Sequence, residues 1–495
     1  MRFCGLDVGT TGVKALVVDE KGVPVSSAYR AYAITVKPDG TRLLSALELW
    51  NKTKEVFGEA VSRSGGGVDA LCAASFGEAF AALDRRGKII CDPMLFTDHW
   101  GEKEYREAEK KVGAAEIARI CGLPLSPSYS LSKVLYLREE RPDIYARIHR
   151  VLLIEDFVHY MFSGETGADY SAASRTMFFD VRSCAWSAEL MAKFGLESRH
   201  YSPPLPMGTV LGKVRGGLLE ELGLSGDIKV IAGGHDQPVN AIGAGLREGC
   251  AVNSMGTAEC VTPVTGRVMP AEFISRRGIP SEPLWEKGKF CSLAYNATAG
   301  LLVQWYGNLT AGNLKNPLAW LDRKVPAEPT KIMVQPYLMG SGTPYMDSAA
   351  RLAMTGIDYG TGKFDLYRAI LEGLVLDQKL NLDILEAQGV PVKRLVAVGG
   401  GARSRSWLRI KADILEIPVS TLRVKEAGAL GAAVLCAAAL GVYGGIEEGG
   451  RAMSRIEATI EPDLTHRAFY RDKFALYRAL HDHVKEESAF AAGTG

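Results

Sequence analysis

Asp7 ends an apolar run and stands two residues before a small polar tip, Gly9-Thr10-Thr11-Gly12, which returns through Val13-Lys14 into a second apolar run. That order describes a hairpin whose glycines permit a tight turn and close approach of a bound group. The Thr10 and Thr11 hydroxyls and the N–H groups of the tip suit an oxyanion, and Lys14 adds positive charge, so the tip outlines a phosphate cradle. Asp7 is placed to hold a hydrated Mg²⁺ against the same phosphates, because that ion keeps waters and takes few protein oxygens. The pattern returns in residues 250–261, which run apolar, turn at Gly256-Thr257 and run apolar again. A group held between two such tips would be gripped from both sides. Two further carboxylates are delivered by strand-like runs. Asp236, with Gln237 beside it, follows Gly233-Gly234-His235 and suits a general base; it equally suits the cap of the helix that follows. Glu78, in Phe76-Gly77-Glu78, follows the run 68–75 at a strand end, where ligands of α/β sheets collect, although a solvated loop glutamate reads the same way.

The elements that must position these groups alternate. A helical face over Ala46–Arg63, a buried strand over 68–75, mainly helical pattern over 102–162, another buried strand over 227–232 and a long helix over 365–385 imply an α/β sheet architecture. At 495 residues the chain exceeds a single core. The paired glycine-threonine hairpins suggest two related halves, 1–246 and 247–495. In the second half an apolar run at 394–398 opens on Gly399-Gly400-Gly401-Ala402-Arg403-Ser404, a glycine run that permits flat contact with a base or close approach of phosphate at a helix N-terminus. It lacks the spacing of the dinucleotide fingerprint, and Gly360-Thr361-Gly362-Lys363 lacks the hydroxyl and earlier glycine of a Walker A loop. Residues 427–443 carry no charge but fall short of the ~20 residues of a membrane span and are rich in alanine and glycine, which predicts a buried, closely packed helix. Lys+Arg of 58 against Asp+Glu of 57 leaves a formal charge of +1, so neither nucleic acid nor a membrane surface is expected as partner. Nine scattered cysteines, with no signal-peptide pattern before the first strand, predict a reducing cytoplasm. His481-Asp482-His483 falls on the polar side of a terminal helix, away from any zinc spacing.

These motifs together resemble the FGGY carbohydrate kinase family over nearly the whole chain. Residues 5–14 resemble its first phosphate motif, Met255-Gly256-Thr257 its second, residues 399–404 with 426–433 its adenosine motif, and Gly233-Gly234-His235-Asp236-Gln237 its catalytic-aspartate motif. Residues 128–140 resemble the first family signature, with Tyr136 where tryptophan is usual; Gly356-Ile357 and residues 365–373 resemble the second, with Leu352 departing at its small first position. The resemblance implies two duplicated actin-like ATPase (ribonuclease H-like) domains with a cleft between them, the N-terminal one binding sugar and the C-terminal one nucleotide. It implies ATP-dependent phosphorylation of a hydroxyl on a small sugar or polyol, with Mg²⁺. Carried over, Asp236 is the base, and Asp7 and Asp236 place the metal. Phe76, Glu78, Asp236 and Gln237 bind the acceptor. Thr10, Thr11, Lys14, Gly256 and Thr257 surround the phosphates, and Gly300, Gln304, Gly400, Gly401 and Ala402 line the nucleotide. Lys14 stands where several relatives have arginine, which predicts a point-charge contact. Glu78 and Gln237 look like the glycerol kinase branch, though Gly77 has lost its arginine; residues 340–344 and 164–171 look more like the xylulose kinase branch. The expected acceptor is a pentose-type ketose such as xylulose, the alternative a glycerol- or erythritol-type polyol. A non-catalytic actin-like ATP-binding protein is the rival from another class, and a homodimer is compatible with the resemblance.

Overall fold

The computed structural model describes residues 1–36, 42–65, 67–95 and 100–493. Its first sheet has six strands in the order Val210–Lys213, Lys229–His235, Ala70–Ser75, Arg2–Val8, Gly12–Asp19, Pro24–Ala31. Arg2–Val8 runs antiparallel to Gly12–Asp19 and parallel to Ala70–Ser75, which is parallel to Lys229–His235. The second sheet repeats this. Cys250–Met255 runs antiparallel to Glu259–Thr265 and parallel to Arg394–Val398, which is parallel to Val419–Leu422; Ile456–Ile460 closes it antiparallel, as Val210–Lys213 closes the first. The two halves therefore share one sequence of strand orientations, and the fold is the duplicated α/β architecture expected from the paired hairpins. Ala70–Ser75 is buried along its whole length, as a central parallel strand covered on both faces must be.

Each sheet carries its own core. In the first, Trp50 and Phe57 of helix Ala46–Arg63 meet Phe162 edge-on with ring centroids 5.0 Å apart. In the second, Trp407 of helix Arg405–Leu415 and Tyr367 of helix Lys363–Ala387 are buried together. Ser404, whose Oγ accepts from the Trp407 N–H at 3.1 Å, caps the former helix.

Helices Asp236–Gly243 and Ala427–Ala439 pack against each other between the sheets. The second of these is the uncharged segment, and it lies mainly on the first sheet, buried with Phe3 and Cys72, while its first residue, Ala427, packs with Val252 and Val396 of its own sheet. Its composition follows from the spacing. A Cβ on Gly5 would fall 1.8 Å from the Ala429 carbonyl oxygen, one on Gly243 1.9 Å from that of Ala427, and one on Gly431 2.0 Å from that of Val239. No helix among the described residues is long and apolar enough to cross a membrane.

Three local readings differ from the sequence. The helical pattern over 102–162 is interrupted by strand Arg150–Leu153, which pairs with Phe80–Leu83 in a separate three-stranded sheet. The stretch 163–171, whose polar composition reads as a loop, is not all loop: Asp169 is buried and caps the short helix Tyr170–Ser174. His481 turns inward, 8% exposed, with Nε2 3.2 Å from Asp347 Oδ2 and its ring stacked on Tyr345 at 3.8 Å, because that helix face is covered by the loop carrying both residues.

Candidate active site

The first hairpin closes as expected: the Gly9 N–H donates to the Gly12 carbonyl at 3.0 Å, leaving Thr10 half-buried and Thr11 exposed at the tip. Asp7 and Lys14 are opposite one another in the ladder below it. Lys14 Nζ reaches Glu426 Oε1 of the second half at 3.3 Å. Gly428 backs on to Asp7: a Cβ there would lie 3.0 Å from Asp7 Oδ2 and 3.2 Å from Asn240 Oδ1. Asp236 opens helix Asp236–Gly243 one turn before Asn240, so Asp7, Lys14, Asp236 and Glu426 form one charged group where the halves meet. Burial raises the Asp7 carboxyl to about 6; Asp236 adds to the rise and Lys14 opposes it. Asp236 is 30% exposed and is also raised, chiefly by burial. Asp236 disfavours the charge on Asp7, and these two carboxylates form a donor pair that fits a hard oxygen-seeking cation.

The nucleotide candidates gather on the other tip. The Gly256 N–H donates to the Ala258 carbonyl at 2.9 Å, and Gly256 and Thr257 are exposed. Gly300 packs on this turn, since its Cβ would fall 2.0 Å from the Gly256 oxygen, and the Leu301 N–H donates to the Thr257 carbonyl at 3.1 Å. Gln304 is exposed one turn along helix Ala299–Ala311. Gly400, Gly401 and Ala402 form a short 3₁₀ turn after Arg394–Val398, with Gly401 against Met255. Close approach to a backbone carbonyl explains why position 300 is a glycine, a packing reason that the sequence alone did not reveal.

The acceptor candidates divide. Phe76 is 3% exposed and belongs to the core of the first half. Glu78 has a left-handed backbone, φ 65°, uncommon for a non-glycine residue. Its carbonyl is held by Lys133 Nζ at 2.9 Å and Ser130 Oγ at 3.0 Å, both from the stretch 128–140. That signature therefore has a physical role, which is to hold the Glu78 turn in place. The Glu78 carboxylate is paired with Arg175, whose other terminal nitrogen pairs with Glu282. Gly77 leaves room for this arginine, for a Cβ there would lie 3.2 Å from Arg175 Cγ. Arg175 also lies over the Tyr129 ring at 4.9 Å. Gln237 lowers the Asp236 carboxyl by a side-chain hydrogen bond, and its own Oε1 is buried without a partner among the described residues.

Sequence reasoning missed Arg175, Glu282 and the part played by His235. His235 Nε2 is 3.2 Å from Asp236 Oδ1 and Nδ1 is 2.9 Å from Glu282 Oε2. Burial alone pushes the imidazole down, but the flanking carboxylates outweigh it and hold His235 above its usual value. No local pattern announces Arg175 or Glu282, which lie 97 and 204 positions from Glu78 and meet it only through folding.

The N-terminal domain of the FGGY family of carbohydrate kinases matches residues 3–243 and its C-terminal domain residues 251–440. A xylulose kinase of Staphylococcus epidermidis is 26% identical over 498 residues, spanning 98% of this chain and 97% of that one. Among solved structures, a xylulose kinase from Rhodospirillum rubrum superposes with a TM-score of 0.89 at 24% identity over 99% of this chain and 100% of that one. A Plasmodium falciparum glycerol kinase with ADP superposes at 0.86 with 19% identity over 97% and 98%. The chain belongs to the FGGY family of carbohydrate kinases, phosphotransferases whose acceptor is an alcohol group.

Proposed function

We propose that the protein transfers the γ-phosphoryl group of ATP to a hydroxyl of a pentose-type ketose such as xylulose, in the cytoplasm, with residues 1–246 and 247–495 as the sugar-binding and nucleotide-binding units. The observation that carries this reading is Asp236: a partly exposed carboxylate of raised pKa at the start of a helix between the two sheets, grouped with Asp7, Lys14 and Glu426.

In this reading Asp236 accepts the proton of the attacking hydroxyl, and the Gln237 Oε1 accepts a hydrogen bond from a neighbouring one. Thr10, Thr11 and Lys14 bind phosphate oxygens from one side, Gly256 and Thr257 from the other, and Gln304 with Gly400, Gly401 and Ala402 borders the nucleoside. Asp7 and Asp236 would hold Mg²⁺, which when bound supplies charge neutralisation for the phosphates. Phosphoryl transfer asks for alignment and charge stabilisation more than covalent work. Bringing the halves together supplies the alignment, a contribution of ~7–11 kcal/mol in well-oriented systems, and excludes water from the phosphoryl group.

Arg175 supports a neutral acceptor. It is a guanidinium among the charges acting on Asp236, and its terminal nitrogens already face two carboxylates that balance its charge, while only its buried Nε–H is left without a partner among the described residues, which disfavours a sugar acid. The glycerol- or erythritol-type polyol is the second reading, favoured by Glu78 with a guanidinium beside it.

The test is ADP release from MgATP with D-xylulose, D-ribulose, glycerol, erythritol and gluconate. Release with a ketose supports the proposal, release with a polyol selects the second reading, and release with gluconate refutes the neutral-acceptor argument. Thermal stabilisation by MgATP without release on any acceptor would establish the non-catalytic rival instead.

A further inference from the structure

His235 ends strand Lys229–His235 and immediately precedes the base. Its backbone N–H donates to Ser171 Oγ at 2.9 Å, and Ser171 is held in turn by Asp169. The ring is therefore anchored at its root, and both nitrogens face carboxylates: Asp236 at 3.2 Å and Glu282 at 2.9 Å. Glu282 is fully buried on strand Ser281–Pro283, which belongs to the second sheet. That strand is docked on the first half through the Ser281 N–H, which donates to the Gly122 carbonyl at 2.7 Å. Glu282 uses one oxygen for Arg175 and the other for His235. A buried carboxylate needs a partner, and Arg175 alone would satisfy that need. The second oxygen, aimed at a histidine whose far side touches the base, asks for another explanation.

We propose that Glu282 is a positioning residue for Asp236: through His235 it fixes the orientation of the base's carboxylate, from the opposite half of the molecule. One oxygen of Asp236 is then held in a set direction relative to the acceptor only while strand Ser281–Pro283 stays docked on the first half. Orientation of the base is thereby tied to the relative position of the halves, so that a displaced second half leaves a poorly aimed base. The proposal rests on the kinase reading above, with Asp236 as the group that takes the hydroxyl proton.

The experiment uses the full-length protein and whichever of D-xylulose, D-ribulose, glycerol or erythritol the wild type phosphorylates. Glu282→Gln keeps the shape and an acceptor oxygen while removing the charge that holds the ring. It is expected to lower kcat about tenfold or more while KM for acceptor and for ATP changes by less than about threefold. His235→Leu should lower kcat at least as much, and His235→Gln, whose amide still donates to Asp236, should recover most of the loss. The decisive comparison is the double variant: Glu282→Gln is expected to cost nothing further in the His235→Leu background, because its effect passes through the ring. An equal cost in both backgrounds would show that Glu282 only neutralises Arg175, and so would a raised KM with unchanged kcat; either result overturns the proposal. A readout independent of turnover is the ¹⁵N spectrum of the histidine ring nitrogens at fixed pH. The signals lost in His235→Gln identify His235, and they must shift in Glu282→Gln. Unshifted signals overturn the bridge, whereas failure of every acceptor in the wild type, with shifted signals, refutes the kinase reading and leaves the bridge standing.

Discussion

Asp236 shares its surroundings with Asp7, Glu78 and Glu282, and its charge is tolerated because His235, Gln237 and Arg175 offset them. Asp236→Asn keeps the shape but cannot take a proton, and acceptor-dependent ADP formation should fall by about 10²-fold or more while MgATP still raises Tm. Turnover within a few-fold of wild type would remove Asp236 as the base. Lys14→Gln should raise KM for ATP without a matching change for the acceptor, because its amine lies by Asp7 and Glu426, where the proposed function puts the phosphates; equal changes for both substrates would contradict that placement. A third residue-scale outcome concerns stability. Asp156 is fully buried and its carboxyl is pushed up to about 6 by burial, against hydrogen bonds from Ser202 and Gly167. A folded pKa above the unfolded value of 3.8 means that the folded state binds the proton more tightly. The stabilisation is fully present below about 4 and is lost as pH rises through about 6. Asp156→Asn, which can accept from Gly167 and donate to Ser202, should gain on the wild type between these limits, by up to about 3 kcal/mol. Denaturant unfolding of both proteins from pH 4.5 to 7.5 checks this, and a difference that does not change with pH would contradict it.

At the scale of elements, the two helices between the sheets depend on having no side chain where their backbones touch. Gly431→Ala places a Cβ 2.0 Å from the Val239 carbonyl oxygen, and neither backbone can yield without shifting a helix. The expected cost is at least the ~1–3 kcal/mol typical of overpacking, read as a lowered denaturant midpoint. Gly217 gives the contrast: it is exposed in helix Gly216–Glu221 with nothing within 4 Å of a Cβ, so Gly217→Ala should stabilise by about 0.5–1 kcal/mol. Similar effects at the two sites would refute the close-packing account. The second family signature also has a role at this scale. Glu372, fully buried on helix Lys363–Ala387, gathers Arg368, Lys473 and Tyr470, and so ties that helix to helix Arg467–His483.

For the whole molecule, the polar links between the halves among the described residues include Lys14 to Glu426, Arg175 to Glu282 and His235 to Glu282, all of them beside the charged group around Asp236. The phosphate-type tips belong to different halves, so a triphosphate and an acceptor held together favour closure. Small-angle scattering should show a smaller radius of gyration with MgADP and acceptor together than with either alone; an unchanged radius would mean that the reaction needs no such movement.

The sequence by itself determined the duplicated architecture, because paired apolar runs around glycine-threonine tips form compact hairpins, and strand-helix alternation leaves few ways to build a sheet. It also placed Asp7, Asp236, Gly256 and the glycine run at 399–401, all of which lie at strand ends where local pattern decides position. The uncharged helix Ala427–Ala439 was legible as close-packed, but not that it would lie mainly on the sheet of the other half. Only tertiary structure decided that Phe76 is core, that Gly300 is needed for packing, and that Arg175, Glu282 and His235 surround the base. These roles arise from side chains brought together across long stretches of chain, where burial forces charges to find partners and no spacing in the sequence records which partner is found.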